Sequence, residues 1–128
     1  MEVENKLRTY STSIEEINNI IYELIKNNYL NETRFAQAFS RGKFKFKNWG
    51  KMRIKMELKK RKVSKKNIDI GMNEISEEDY IKKLDELFQK CIDKFQKYNK
   101  QQMKKKIFDY LNYRGWEYEK IFNKLNEL

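Results

Sequence analysis

The chain has 128 residues and a formal net charge of +10, from 29 Lys and Arg against 19 Asp and Glu, with no His, no Pro, one Cys and four Gly. Without His there is no imidazole acid–base chemistry and no His-ligated metal site; a single thiol makes neither an internal disulfide nor a thiolate metal site, which fits a reducing cytoplasm. No glycine-rich phosphate loop, nucleophile elbow, signal peptide or bilayer-length apolar run occurs, so composition points to a binding protein that is not an enzyme and needs no cofactor or metal.

Apolar residues recur at helical spacing along almost the whole chain, and the absence of Pro with so few Gly leaves no punctuation for strands and hairpins. Ile14, Ile17, Ile21 and Leu24 form a first stripe, widened by Ile20 and Ile25, with Ser13 and Glu16 spaced as a capping box. A helix from Asn31 to about Lys45 follows, with Phe35 expected in its core. Lys43-Phe44-Lys45-Phe46-Lys47 alternates cation and ring, which reads as a frayed helix end or a loop. The next helix starts near Asn48 or Gly50 and carries Ile54 and Leu58, flanked by Met52 and Met56. Ser64 is placed to cap a helix bearing Ile68, Met72 and Ile75, in which Gly71 implies a close helix approach. Ser76 and Asp79 open a longer helix with Tyr80, Leu84, Leu87, Cys91 and Phe95 inward, so Cys91 is expected to be a packing residue.

A repeat underlies these elements. Moving residues 54–75 forward by 53 superposes Ile54 on Ile107, Leu58 on Leu111, Arg61 on Arg114, Val63 on Trp116, Ile68 on Ile121, Met72 on Leu125 and Asn73-Glu74 on Asn126-Glu127. Moving them back by 51 superposes Leu58 on Leu7, Ser64 on Ser13, Ile68 on Ile17 and Glu74 on Glu23. The unit is three helices, and the expected fold is all-α: tandem three-helix modules forming an elongated, curved array. The modules are expected at 1–30, 31–75 and 76–128, the first incomplete because the chain starts within its second helix. Trp116, aligned with Val63, is expected in the core. Units this small share packing surface with their neighbours.

The chain resembles the RecX family, bacterial regulators of the RecA recombinase. The resemblance rests on Tyr29-Leu30-Asn31-Glu32-Thr33-Arg34-Phe35-Ala36, on Trp49-Gly50-Lys51-Met52-Arg53-Ile54-Lys55-Met56-Glu57-Leu58 and on Leu111-Asn112-Tyr113-Arg114-Gly115-Trp116, in the family's order on the repeat. It departs from the family pattern at Asn31, where an acid is usual, and at Lys62, where the turn usually has Gly. It also departs in the absent first helix. Lys62 in a left-handed position costs up to ~1 kcal/mol, so that turn is expected to be built differently from the one at Gly115. The resemblance implies a protein that binds the RecA filament on single-stranded DNA and limits its extension, strand exchange and co-protease activity; a cytoplasmic monomer is expected.

Charge is concentrated in one place. Residues 41–66 hold 13 basic residues and one acid, Glu57, a net +12, whereas the remainder of the chain is net −2. Lys51, Lys55, Lys59 and Lys62 fall at i, i+4, i+8 and i+11 on one helix stripe, where like charges repel unless something external compensates them. Lys43, Lys45, Lys47, Trp49, Lys51, Arg53, Lys55, Lys59 and Lys62 are therefore candidate partner or nucleic-acid contacts. Phosphate contact predicts steep salt dependence, and an acidic protein surface predicts steering and orientation. Solvation of long Lys stems over apolar surface accounts for part of the patch, and Trp49 is expected mainly to close the groove between its module's first two helices. An alternative to RecA regulation is a helical nucleic-acid-binding module acting through this patch without a recombinase. A secondary basic run, Lys94, Lys97, Lys100 and Lys104–Lys106, extends the cationic face or solvates a connector.

Overall fold

A computed structural model describes residues 14–128, and among these every regular element is α-helical. The helices are α1 (Ile14–Lys47), α2 (Lys51–Lys60), α3 (Lys65–Met72), α4 (Glu77–Lys94), α5 (Lys100–Tyr113) and α6 (Tyr118–Leu125). The Ser13 cap and Leu7 lie outside the described residues. No described helix is long and apolar enough to cross a membrane, and no described group of His, Cys, Asp and Glu could hold a metal ion.

One buried cluster runs through both described modules. Ala36, Ile54, Leu58, Ile68 and Met72 contribute from α1–α3, and Tyr80, Leu84, Leu87, Cys91, Ile107, Leu111, Trp116, Ile121 and Leu125 from α4–α6. Trp116 and Cys91 are buried, as their places in the apolar pattern predict. Burial pushes the Cys91 thiol up to about 11, against the opposing pull of Arg114 and Lys94.

The repeat is visible in the backbone. Each module's second helix ends in a Schellman turn: Val63 N–H returns to Leu58 O at 3.1 Å, and Trp116 N–H returns to Leu111 O at 3.1 Å. The left-handed residues are Lys62, at φ 61°, and Gly115, at φ 88°. The Lys62 turn is therefore built like the Gly115 turn, contrary to expectation. The two hydrogen bonds outweigh a penalty of ~1 kcal/mol.

Two other expectations are corrected along α1. The helix continues unbroken through Leu30–Asn31 and on through Lys43–Lys47, which is regular helix, neither frayed nor a loop. Nothing between residues 26 and 41 removes a backbone donor, and α1 stops only where Asn48 takes φ 60° and Trp49 N–H returns to Lys43 O at 3.2 Å. The Lys83 ammonium then donates to Lys45 O and Asn48 Oδ1, satisfying that carbonyl end. Helix periodicity separates the two rings: Phe44 packs inward, whereas Phe46 is 75% exposed.

Phe35 is exposed, not core. Its helix presents Ala36 and Ser40 to α3 because Gly71 brings the two backbones together. A Cβ on Gly71 would lie 2.8 Å from Ala36 O and 2.9 Å from Ser40 Oγ. Large side chains cannot occupy that seam, so the Phe35 ring lies beside it against Phe39, centroids 5.6 Å apart. Of the first apolar stripe, Ile17 is buried and Ile21 half-buried, while Ile14 and Leu24 are exposed.

Glu32, in the first stretch that carries the resemblance, ties α1 to α3. Its Oε1 accepts Ser64 N–H at 2.8 Å and the Asn67 amide at 2.9 Å, while Thr33 Oγ1 donates to Asn67 Oδ1 at 2.6 Å. These donors, first among them the Asn67 amide, hold the Glu32 carboxyl below its usual range. A depressed folded-state pKa stabilises fully above the unfolded-state value, and the gain is lost as pH falls through the folded-state value. Thermal unfolding from about pH 6 to about pH 3 should therefore show a steeper fall in Tm for wild type than for Glu32→Gln. Parallel curves would remove Glu32 from the acid response.

Candidate interaction surface and the joint between modules

The helix α2 starts at Gly50, which has no side chain to cap it, and its first turn contains no acid. Its free N–H groups are instead met by another helix's free carbonyls. Gly50 N–H donates to Arg114 O at 2.8 Å and Met52 N–H to Gly115 O at 3.0 Å. The positive end of α2 thus abuts the negative end of α5, and each satisfies groups the other leaves open.

Close approach makes both glycines necessary. A Cβ on Gly50 would sit 2.4 Å from Gly115 O, and one on Gly115 would sit 2.2 Å from the Arg53 Cβ. Side chains then lock the contact. The Trp116 indole donates to Asn48 O at 3.1 Å and stacks on Tyr80 with centroids 4.4 Å apart, and Phe44 packs against both rings. The Tyr80 hydroxyl accepts Lys51 N–H at 2.9 Å and donates to the Glu117 carboxylate. Burial, then the Glu117 hydrogen bond, raises the Tyr80 pKa far above its ordinary value, so the hydroxyl stays a donor.

The candidate residues divide between this joint and free surface. Lys43 lies over the Phe39 and Trp49 rings at 5.4 and 5.0 Å, and Trp49 is half-buried edge-on to Phe39. Lys51 pairs with Glu77 at 3.6 Å and sits 4.5 Å over the Tyr80 ring. The Lys120 ammonium, hydrogen-bonded to Glu77, holds that carboxyl below its usual range, and Lys51 adds to the effect. The Arg53 guanidinium stacks between Trp49, at 4.2 Å, and Tyr113, at 4.8 Å, and donates to Tyr113 O at 3.1 Å. Lys45 and Lys47 are exposed at the end of α1.

Lys55 and Lys59 of α2 face elsewhere. They line a groove of about 280 Å³ between α2 and α3, with Val63, Lys65, Ile68 and Asp69, and Lys62 is exposed in the turn that joins the two helices. Arg53 lines a different groove of about 430 Å³, with Met52, Met56, Lys60, Tyr113 and Tyr118 among its walls. Sequence reasoning singled out none of Asn48, Tyr80, Lys83 or Glu117 as a joint residue. The available signal was the spacing of Gly50 and Gly115, each at a helix end, but nothing in one dimension says that two turns touch.

If these glycines seat the joint, Gly50→Ala costs about 1–3 kcal/mol. Gly42→Ala, in open space on α1, is neutral or stabilises by up to about 1 kcal/mol. Denaturant unfolding of the two variants measures the contrast, and equal effects would contradict it.

Comparison with known proteins agrees with this architecture. Residues 31–72 match the family model described as RecX, second three-helix domain. The crystal structure of RecX from Lactobacillus salivarius superposes with a TM-score of 0.70 at 24% identity, covering 99% of this chain and 82% of that one. No curated protein matches the chain. Residues 31–72 are thus similar to the second three-helix domain of RecX, and the chain as a whole has the fold of the Lactobacillus salivarius protein.

Proposed function

We propose that the chain is a RecX-type regulator: a non-catalytic helical array that lies on the RecA filament formed on single-stranded DNA and opposes its extension and activity in recombination and the SOS response. The observation that carries this reading is the RecX second-domain match at residues 31–72 within a RecX fold covering 99% of the chain. The modules are taken as 1–30, 31–75 and 76–128, the protein acting as a cytoplasmic monomer.

The joint supports this reading physically. A regulator that spans several subunits of a filament needs its modules at a fixed spacing, and the α2–α5 contact supplies one through backbone hydrogen bonds and a buried aromatic cluster. Lys51 and Arg53 act in this scheme by holding the joint, Lys43 and Trp49 by packing beside it on Phe39 and Arg53, and Lys45, Lys47, Lys55, Lys59 and Lys62 are left to meet the partner. Contacts of that kind steer association and set orientation.

RecA-driven strand exchange and DNA-dependent ATP hydrolysis test the proposal. Purified protein should depress both at substoichiometric to stoichiometric ratios. Lys55→Glu with Lys59→Glu should weaken inhibition roughly tenfold with helical content unchanged, as reversal of two steering charges does. Unaltered RecA activity with saturating wild-type protein would refute the function.

A further inference from the structure

Helix α2 carries two apolar stripes, and only one of them serves its own module. Ile54 and Leu58 are buried, whereas Met52 and Met56, each two positions earlier, are each 54% exposed. Two residues turn a helix by about 200°, so the methionines stand on the far side of α2 from its core. Lys or Glu would form the helix as well there, so a face that met only water gains nothing from two thioethers. Among the described residues outside α1, the exposed large apolar side chains are Met52, Met56, Ile81, Tyr113, Tyr118 and Phe122. All but Ile81 gather in one place. Met52, Met56, Tyr113 and Tyr118 line the groove of about 430 Å³ between α2 and the α5–α6 turn, with buried Trp116 in its wall. Phe122 and Phe108 stack on Tyr118 at 6.2 and 5.5 Å and carry the apolar surface onward. Exposed apolar side chains gathered into one patch mark a contact site, where the same residues scattered singly would not. Met, Tyr and Arg are also the residues that protein interfaces favour, and a thioether adapts its shape to what it meets.

Charge says what kind of segment fits. Both acids of the groove are engaged within the molecule, Glu57 by Arg61 at 3.0 Å and Lys60 at 3.6 Å, and Glu117 by the Tyr80 hydroxyl. Its cations are less committed. Arg53 donates to Tyr113 O and makes no ion pair with a described residue. Lys60, its side chain 67% exposed, shares Glu57 with the closer Arg61. A carboxylate brought to this edge meets a guanidinium and an ammonium. A second copy of the chain, docked by the same face, would bring the same two cations against them.

We infer that this groove receives a segment of another protein in which a large apolar side chain stands beside Asp or Glu. The apolar side chain enters among Met52, Met56 and Tyr118, and the carboxylate meets Arg53 and Lys60. The site is a different groove from the one that Lys55 and Lys59 line, and its test needs no recombinase, so it goes beyond the RecA reading and fails separately from it.

The test is selection of a random peptide display library on the immobilised full chain, followed by fluorescence anisotropy of the enriched peptides, synthesised and labelled. Enriched sequences should place Leu, Met or Phe beside Asp or Glu. Met52→Gln with Met56→Gln should weaken their binding roughly tenfold, with helical content unchanged. Lys60→Gln should weaken it about threefold and flatten its salt dependence. Ile81→Gln, at a comparably exposed apolar residue outside the groove, should change neither. Enrichment of Lys- or Arg-rich sequences, no enrichment over bare matrix, or equal losses in the methionine and Ile81 variants would overturn the site. Displacement of bound peptide by an oligothymidylate with the same methionine dependence would reassign the groove to nucleic acid. Dimerisation of the chain that the methionine variants abolish would reassign it to a second copy.

Discussion

The architecture depends on one exchange between helix ends. A helix leaves about four N–H groups open at its start and four carbonyls open at its finish, and most helices close them with side chains or water. Here the start of α2 and the finish of α5 close each other, Gly50 and Met52 donating to Arg114 and Gly115. Each such bond contributes about 1 kcal/mol net, so the two alone would not fix a joint. They become decisive because Trp116, Tyr80 and Phe44 bury the contact, where an unmet backbone group costs more than a met one returns.

That exchange also explains why several residues that look like surface contacts are structural. Arg53 has its guanidinium between two rings and its donor on Tyr113 O, and Lys51 is held by Glu77 over Tyr80. Their charge reinforces the junction, whereas Lys55 and Lys59, about one and two turns past Lys51 on α2, are turned to a groove whose one acid is Asp69. A single helix thus devotes one end to assembly and leaves the other exposed. Position along the axis of α2 separates the two roles, because residues 51 and 53 in its first turn meet α4 and α5 while residues 55 and 59, further along, flank α3.

Much of the fold was legible in one dimension. Helix-period stripes and the absence of Pro define the elements, and the offset of 53 superposes two turns whose hydrogen bonds coincide. Trp116 and Cys91 were placed by pattern alone, and Gly71 by its cost within a helix. What escaped was non-local or depended on backbone closeness. Phe35 looks like core until Gly71 is seen to need small residues opposite it, and Lys43–Lys47 looks like a frayed helix end or a loop until its alternate rings are seen to face different ways. Lys62 was expected to change its turn, but two hydrogen bonds and the Val63 anchor impose the left-handed geometry on it. The joint was the least legible feature, since it links residues more than sixty positions apart through backbone atoms that carry no sequence signal.

Amide hydrogen exchange at Gly50 and Met52 tests the joint most directly. Both lie in the first turn of a helix, where backbone amides ordinarily exchange within the fast class. The account predicts protection equal to that of Ile107 and Leu111 in the core of α5, since opening either amide requires the modules to part. Exchange at the rate of a free helix start, with α5 still protected, would contradict it.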